Sequence, residues 1–187
     1  MTKKVWSPDS SPCEFKQGLV QIFTGDGKGK TSAALGAVLR ASGHGLRVHI
    51  VFFMKGDYPY GERNVLSKLP NVTTASYGQL EFVDPSNIKP EEIKQAKQAL
   101  AAAREAMLSG KYDIVVLDEV NVAVAFKLIG VDDVLSLIRD KPQNVELILT
   151  GRKADAELIK SADLVTEMLK IKHPYDKKIS ARMGIEY

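Results

Sequence analysis

The stretch Thr24-Gly25-Asp26-Gly27-Lys28-Gly29-Lys30-Thr31 lies between a mostly apolar run, residues 19–23, and a run rich in alanine and leucine that begins at Ser32. It differs from the pattern G-x-x-x-x-G-K-[ST] only at its first position, where threonine replaces glycine. A strand, a glycine-rich loop and a helix in this order form a phosphate-binding P-loop, whose backbone N–H groups surround phosphate oxygens. The sequence therefore predicts a site for a nucleoside triphosphate, with ATP and magnesium as the expected ligand.

Each residue type in this loop has a physical role. Glycine lacks a Cβ, so the chain can turn tightly around phosphate. The lysines add positive charge, the threonine hydroxyl can ligate magnesium, and the helix beginning near Lys30 adds the positive end of its dipole. A dinucleotide-binding G-x-G-x-x-G read from Gly25 is excluded, because its last glycine would fall on Lys30. The predicted triphosphate-binding residues are Gly25, Asp26, Gly27, Lys28, Gly29, Lys30, Thr31 and Ser32.

Composition indicates one ordinary globular domain. The chain has 187 residues, 44% of them hydrophobic, which suits one α/β domain and is too short for two. A net charge of +3 is too small to indicate nucleic-acid binding. No apolar run approaches the ~20 residues of a membrane span, and the single Cys13 favours a reducing compartment. We expect a cytoplasmic protein with a flexible arm at residues 1–17, which lacks a signal peptide's apolar stretch, and one domain at 18–187.

Short apolar runs alternate with longer helical patterns, which is typical of a parallel sheet with helices on both faces. The predicted strands are residues 19–24, 47–53, 72–75, 113–118, 145–150 and 164–172. The predicted helices are residues 30–42, 90–109, 131–139 and 154–161. Ligands bind at the carboxyl ends of the strands in such sheets, so the loops at 55–61 and 77–89 are expected to hold a second substrate.

Two carboxylates, Asp118 and Glu119, stand at the end of the apolar strand predicted at residues 113–118. In a P-loop protein this strand end lies beside the phosphate-binding loop, so at least one of the pair is predicted to hold magnesium together with Thr31, Asp118 directly or through water. Two other roles remain open for Glu119. It can be the base that activates a water molecule, or an acid favoured by a helix dipole.

Other polar residues give weaker signals. Arg152 follows a buried strand and could contact phosphate or ribose, although a solvated arginine fits the position equally well. Lys55, Glu62 and Arg63 flank the loop after the second strand, where isolated charges are usually solvated surface. His173 stands at a strand end, which is compatible with a site. The sequence has no Cys/His metal cluster and no evident Ser/His/Asp set.

Five motifs follow one another along the chain, and each occurs once. They are Gly25-Asp-Gly-Lys-Gly-Lys-Thr31, Lys55-Gly-x-x-x-x-Gly61-Glu62-Arg63-Asn64, Val115-Val-Leu-Asp-Glu119, Leu149-Thr-Gly-Arg152 and the ending from Lys172-His173 through Ala181-Arg-Met-Gly-Ile-Glu-Tyr187. Together they resemble the ATP:corrinoid adenosyltransferases of bacterial cobalamin biosynthesis and salvage, from about residue 18 to the terminus. The phosphate loop and the Met-Gly-Ile-Glu-Tyr ending are the most specific parts of this resemblance.

The resemblance implies a RecA-like P-loop fold, in a homodimer that transfers the 5′-deoxyadenosyl group of ATP to the cobalt of a reduced corrinoid and releases triphosphate. ATP would lie reversed along the loop, with C5′ open to the corrinoid. Lys28, Lys30 and Glu119 would be catalytic, Glu119 by holding magnesium with Thr31. Because cob(I)alamin is itself a nucleophile, the protein need only align the reactants and stabilise the leaving group. Glu62 and Arg152 would contact the nucleoside, and an electron donor such as a flavoprotein would be a further partner.

One segment departs from the family pattern. Family members commonly carry a Gly-Phe-Thr-Trp-like segment whose aromatic residues displace the corrinoid's lower axial ligand, where this chain reads Gly78-Gln-Leu80-Glu-Phe82. Leu80 and Phe82 are candidates for this role, with Tyr77 nearby, and His173 is a further candidate contact of the corrinoid. The alternative is that Phe82 anchors the loop on the core. The arm at residues 1–17 is also short for covering a partner subunit's site, as this region can do in the family.

Two other functions fit a P-loop. An ATPase or kinase would cleave the terminal phosphate with Glu119 as base, and would release phosphate or phosphorylate an acceptor. A non-catalytic module would bind ATP or a corrinoid and deliver it to a partner. Product analysis separates the first from an adenosyltransferase, since only the adenosyltransferase releases intact triphosphate. Turnover separates the second.

Overall fold

The computed structural model describes residues 16–56 and 58–187, and most of the predicted N-terminal arm lies outside these residues. Six strands form one sheet in the order β3-β2-β4-β5-β1-β6. All five neighbouring pairs are parallel. The strands are β1 (Val20–Thr24), β2 (Val48–Phe52), β3 (Val72–Ser76), β4 (Ile114–Asp118), β5 (Glu146–Thr150) and β6 (Leu164–Glu167).

Helices cover both faces of this sheet. They are α1 (Lys30–Gly43), α2 (Gly61–Leu66), α3 (Pro90–Leu108), α4 (Val120–Ala125), α5 (Val131–Arg139) and α6 (Ala156–Ser161), followed by a short 3-10 helix at Pro174–Lys177. In β4, Val115 and Leu117 pack with α3 to α6, whereas Ile114 and Val116 pack with α1 and α2. The predicted α/β P-loop fold, a parallel sheet of six strands with helices on both faces, is confirmed. No helix among the described residues is long and apolar enough to span a membrane.

The structure corrects three sequence predictions. The strand predicted at residues 164–172 ends at Glu167, because β1, its neighbour among the described strands, turns into the phosphate loop after Thr24. Helix α2 lies partly in a predicted loop and is too short to give a periodic pattern. Helix α4, with the sequence Val-Asn-Val-Ala-Val-Ala, was also missed, since its β-branched residues favour strands locally.

The parallel sheet brings distant parts of the chain together. The phosphate loop follows β1, Glu119 follows β4, and Gly151 follows β5. Since all strands point the same way, these residues lie at one edge of the sheet. The loop after β2, which carries Lys55, reaches the same edge.

Candidate active site

The phosphate loop packs closely against the segment that follows β6. Gly25 and Gly29 have φ angles of 95° and 118°, in the left-handed region that favours glycine. A Cβ on Gly27 would lie 2.6 Å from the carbonyl oxygens of Met168 and Leu169. The Gly27 N–H donates to the Met168 carbonyl at 2.6 Å. One N–H group that the sequence predicted to face phosphate is therefore bonded to the protein.

A cavity of about 820 Å³ opens beside this loop, which is within the usual range for ligand sites. The predicted site residues that line it are Lys28, Gly29, Lys30, Thr31, Ser32, Glu62, Phe82 and Glu119. The predicted residues that do not line it are Gly25, Asp26, Gly27, Asp118, Arg152, Tyr77, Leu80 and His173. The structure thus brings together the second half of the loop, one of the two acids and one of the apolar candidates.

Both lysines of the loop bind protein carbonyl groups. The Lys30 ammonium donates to the Gly27 carbonyl at 2.6 Å, so it stays on the loop itself. Burial lowers the pKa of Lys30, and the nearby Glu119 charge opposes this shift. The Lys28 ammonium instead donates to the Ile185 carbonyl at 3.1 Å and to Glu186 Oε1 at 2.7 Å. The two cations lie on the same cavity and have different partners.

The acids at the end of β4 have separate environments. Asp118 is 1% exposed, and its two oxygens accept hydrogen bonds from the Lys55 ammonium at 2.6 Å and from the Thr150 hydroxyl at 2.7 Å. Glu119 lines the cavity and has a φ of 66°, which is uncommon for a residue with a Cβ. Burial and the adjacent Asp118 charge raise the pKa of Glu119. Of the two acids, only Glu119 lines the cavity.

The loop after β2 is built around Arg63. Its guanidinium donates to the carbonyl groups of Gly56 and Lys55 at 2.6 and 2.8 Å, and lies 5.2 Å from the centre of the Phe52 ring. The Lys55 side chain is 12% exposed. Burial opposes its charge, but the Asp118 and Glu119 carboxylates raise its pKa above the ordinary value. The interpretation of Lys55 as solvated surface is therefore wrong.

The end of the chain forms a wall of the cavity that was not predicted. Tyr187 lies with its ring centre 5.4 Å from that of Tyr58, which is 5.0 Å from that of Tyr60. Glu186 bonds to Lys28 and to Arg182. The only signal for this wall was the Met-Gly-Ile-Glu-Tyr ending, because no local pattern links residue 28 to residue 186.

The apolar candidates have different positions. Phe82 is 85% exposed and lines the cavity, so the alternative that it anchors its loop on the core is wrong. The loop is instead held on the core by Tyr77 and Val83, which pack against it. These two residues also line a separate, much smaller cavity. Leu80 is 68% exposed and does not line the large cavity.

Two further candidates lie away from the cavity. The ring nitrogen Nδ1 of His173 accepts from the Tyr175 N–H at 3.2 Å and caps the 3-10 helix. Arg152 is exposed, but its positive charge acts to lower the pKa of both Lys30 and Glu119. His173 therefore has a structural role in this arrangement, and Arg152 contributes to the local potential.

The donor set of the cavity fits a magnesium ion bound to a triphosphate. Among residues 16–56 and 58–187, no group of three or more His, Cys, Asp or Glu side chains could hold a metal ion. Magnesium on a nucleotide takes most of its ligands from phosphate and water, with one or two from protein oxygens. The hydroxyl of Thr31 and the carboxylate of Glu119 line the same cavity and are oxygen donors of this kind.

This fold and this loop define a P-loop α/β protein. Two solved structures have the same fold at low sequence identity. The flagellar accessory protein FlaH from Methanocaldococcus jannaschii has a TM-score of 0.56 and 14% identity, over 82% of this chain and 71% of that one. EssC (ATPases 2 and 3) from Geobacillus thermodenitrificans has a TM-score of 0.50 and 15% identity, and this chain covers 35% of its length. These likenesses bear on the fold alone.

Sequence comparison is more specific. The model of the family ATP:corrinoid adenosyltransferase BtuR/CobO/CobP matches residues 16–187. Corrinoid adenosyltransferase of Escherichia coli K12 is 32% identical, and that of Salmonella typhimurium LT2 is 33% identical, each over 92% of this chain and 87% of the relative. A third, from Sinorhizobium sp, is 35% identical over 92% of this chain and 81% of the relative.

The chain belongs to the ATP:corrinoid adenosyltransferase family. The resemblance inferred from its five motifs is confirmed, and so is the prediction that it is a transferase that moves the adenosyl group of ATP to a corrinoid.

Proposed function

We propose that the cavity beside the phosphate loop holds ATP and a reduced corrinoid at the same time. The observation that carries this proposal is that cations, an acid and an exposed aromatic side chain from distant parts of the chain line one cavity: Lys28, Lys30, Glu119 and Phe82. In the reaction, the cobalt(I) electron pair forms the Co–C5′ bond. The C5′–O bond of ATP breaks, and its electron pair leaves on the triphosphate.

Lys30 and Lys28 stabilise the triphosphate as it departs. Charge increases on the bridging oxygen as the C5′–O bond breaks, and cations already in place around it lower the barrier. The contact of the Lys30 ammonium with the Gly27 carbonyl supports this role, because it holds the charge on the loop before ligand binds. The N–H groups of Gly29 to Ser32, at the start of α1, add donors at the positive end of the helix.

Thr31 and Glu119 hold magnesium on the triphosphate. Both residues line the same cavity, which supports this assignment. Bound there, the ion would supply positive charge to the leaving phosphates. Asp118 stays a prediction as a ligand. Its contacts with Lys55 and Thr150 support a positioning role, since the Thr150 hydroxyl also accepts from the Glu119 N–H at 2.9 Å.

We propose that Glu62 contacts the nucleoside, whereas Arg152 stays a prediction for this role. Glu62 lies in the first turn of α2 and lines the cavity, so its carboxylate can accept from ribose hydroxyls or the adenine amino group. Arg152 has weaker support, because it is exposed in the loop after β5 and acts on the cavity through its charge. Glu62 is therefore the better supported nucleoside contact of the two.

Phe82 is the corrinoid contact with the most support. A phenyl ring that is 85% exposed at a cavity has apolar surface to bury against a macrocycle. Leu80, on the same loop, is exposed and can join it. Tyr77 and His173 stay predictions for this role. We propose that Phe82 and Leu80 displace the lower axial ligand of the corrinoid and so make cobalt(II) easier to reduce.

We also propose that the protein acts in the cytoplasm as a homodimer with a reducing partner such as a flavoprotein. Large apolar side chains near the end of the chain are well exposed and would be covered in a dimer. They include Leu169, Ile171, Tyr175 and Met183. The reducing partner follows from chemistry, because cobalt must reach the +1 state before it can attack C5′.

An anaerobic assay tests this function. The protein is mixed in the dark with magnesium, ATP and chemically reduced cob(I)alamin, and the spectrum is followed to light-sensitive adenosylcobalamin. We expect turnover and intact triphosphate in the products. Release of phosphate without adenosylcobalamin would identify an ATPase. Binding of both substrates without any turnover would identify a carrier.

A further inference from the structure

Lys28, a cation of the phosphate loop, is bound by the end of the chain. Its ammonium lies 2.7 Å from Glu186 Oε1 and 3.1 Å from the Ile185 carbonyl oxygen. Both groups are anionic or carry negative partial charge, as phosphate oxygens do. Lys28 and Glu186 both line the large cavity, so this contact lies at the site that we assign to the triphosphate.

Glu186 does not depend on Lys28 for its charge balance. Arg182 donates from Nη2 to Oε1 at 3.0 Å and from Nε to Oε2 at 3.1 Å, and its backbone N–H donates to Oε2 at 2.8 Å. These bonds from Arg182, with a further one from Lys28, hold the pKa of Glu186 well below its usual range. If Lys28 leaves, Glu186 keeps three hydrogen bonds.

We propose that Glu186 competes with triphosphate for Lys28 and in this way assists release of the triphosphate product. The inference rests on the proposed function, in which Lys28 binds the triphosphate. A magnesium triphosphate carries more charge than one carboxylate and takes Lys28 when ATP enters. After transfer, Glu186 is already positioned by Arg182 to take the lysine back, which weakens the hold on the product.

The affinity for triphosphate distinguishes competition by Glu186 from a purely structural role. If Glu186 only supported the wall of the cavity, its removal would weaken binding of triphosphate. If Glu186 competes, its removal strengthens binding. An exposed ion pair such as Lys28–Glu186 contributes little free energy. Triphosphate no longer has to break this pair when Glu186 is removed, so its binding should tighten by only about two- to fivefold.

The experiment titrates inorganic triphosphate with magnesium into the full chain by calorimetry at constant ionic strength. We expect Glu186→Gln to bind about two- to fivefold more tightly than the wild type. Lys28→Gln should bind more weakly, and adding Glu186→Gln to it should change nothing further. The matched control is Glu167→Gln, which removes one negative charge beside Gly25 without touching Lys28 and should leave affinity near the wild-type value.

Other results would overturn the inference. Unchanged or weaker binding by Glu186→Gln shows no competition. Equal tightening in the Lys28→Gln background, or by Glu167→Gln, shows a general charge effect. Arg182→Gln keeps the Glu186 charge and should not tighten binding. If it tightens binding as much as Glu186→Gln, detachment of the chain end is responsible. A wild type that binds no triphosphate contradicts the proposed function itself, whereas binding without an effect of Glu186 contradicts only this inference.

Discussion

The Lys55 ammonium lies 2.6 Å from Asp118 Oδ2 at the end of β4, in a pair whose side chains are 12% and 1% exposed. The pair links the loop after β2 to the strand that ends one residue before Glu119. Removal of one partner would leave the other charge buried without compensation. Lys55 also lines the cavity, so the pair fixes the position of part of the cavity wall.

Lys55→Met should lower the free energy of unfolding by about 3 kcal/mol, because Asp118 would keep a buried charge without its cation. Chemical denaturation followed by circular dichroism measures this. Adding Asp118→Asn to Lys55→Met should recover part of the loss. A change in the single variant as small as that of an exposed ion pair would show that Asp118 does not depend on Lys55.

Lys30→Met should reduce the rate of adenosyl transfer from pre-reduced cob(I)alamin by about 100- to 1,000-fold, as expected when one preorganised donor to a developing negative charge is lost. Single-turnover kinetics measures the chemical step. The matched control is Lys160→Met, at an exposed position in α6, which should leave the rate unchanged. Similar rates in Lys30→Met and the wild type would mean that the loop lysine does not contact the leaving group.

Phe82→Ala should slow adenosylation when cobalt(II) is reduced on the enzyme, and spare the reaction of pre-reduced cob(I)alamin. The side chain is 85% exposed, so the variant should lose no more than about 0.5 kcal/mol of stability. The two assays are run in parallel on the same preparation. Equal losses in both would argue against a role in displacing the axial ligand.

Gly27→Ala should disrupt the phosphate loop, because the new Cβ would lie 2.6 Å from two carbonyl oxygens and neither backbone can move cheaply. We expect a lower melting temperature and loss of triphosphate binding. Gly43→Ala, in the last turn of α1 where a Cβ meets nothing within 4 Å, should keep binding and be as stable as the wild type or more so. Normal binding by Gly27→Ala would mean that the close approach to Met168 is not required.

We predict that the stability of the folded chain depends on pH through the titration of His49. Burial lowers its pKa in the folded chain, where Nδ1 contacts the Thr73 hydroxyl at 2.7 Å. The unfolded chain therefore binds a proton at a higher pH than the folded chain, and stability falls as pH drops below about 6.5 toward the folded pKa. Denaturation midpoints at several pH values should show a smaller acid loss in His49→Gln than in the wild type. Equal losses would assign the effect to other groups.

Much of the fold could be predicted because its signals are local. Residues 114–118 are apolar until Asp118, as a strand buried on both faces requires, and the loop at residues 24–31 requires a strand before it and a helix after it. Helix α4 was not predicted, because tertiary packing overrides the strand preference of its valines.

The site was predicted less completely, because its missing parts depend on long-range contacts. Lys55 meets Asp118 across 63 positions of sequence, and Lys28 meets Glu186 across 158. No spacing or periodicity encodes such pairs. The Gly27 bond to Met168 has the same origin, since a glycine-rich loop looks the same in sequence whether its N–H groups face a ligand or the chain.

Adenosyl transfer requires that the bond broken in ATP is C5′–O. ATP labelled with oxygen-18 at the 5′ bridging position is incubated with the protein, magnesium and cob(I)alamin, and the products are analysed by mass spectrometry. We expect adenosylcobalamin and triphosphate in equal amounts, with all of the label in the triphosphate. Label retained in a nucleoside or nucleotide product, with phosphate or diphosphate released, would contradict this expectation.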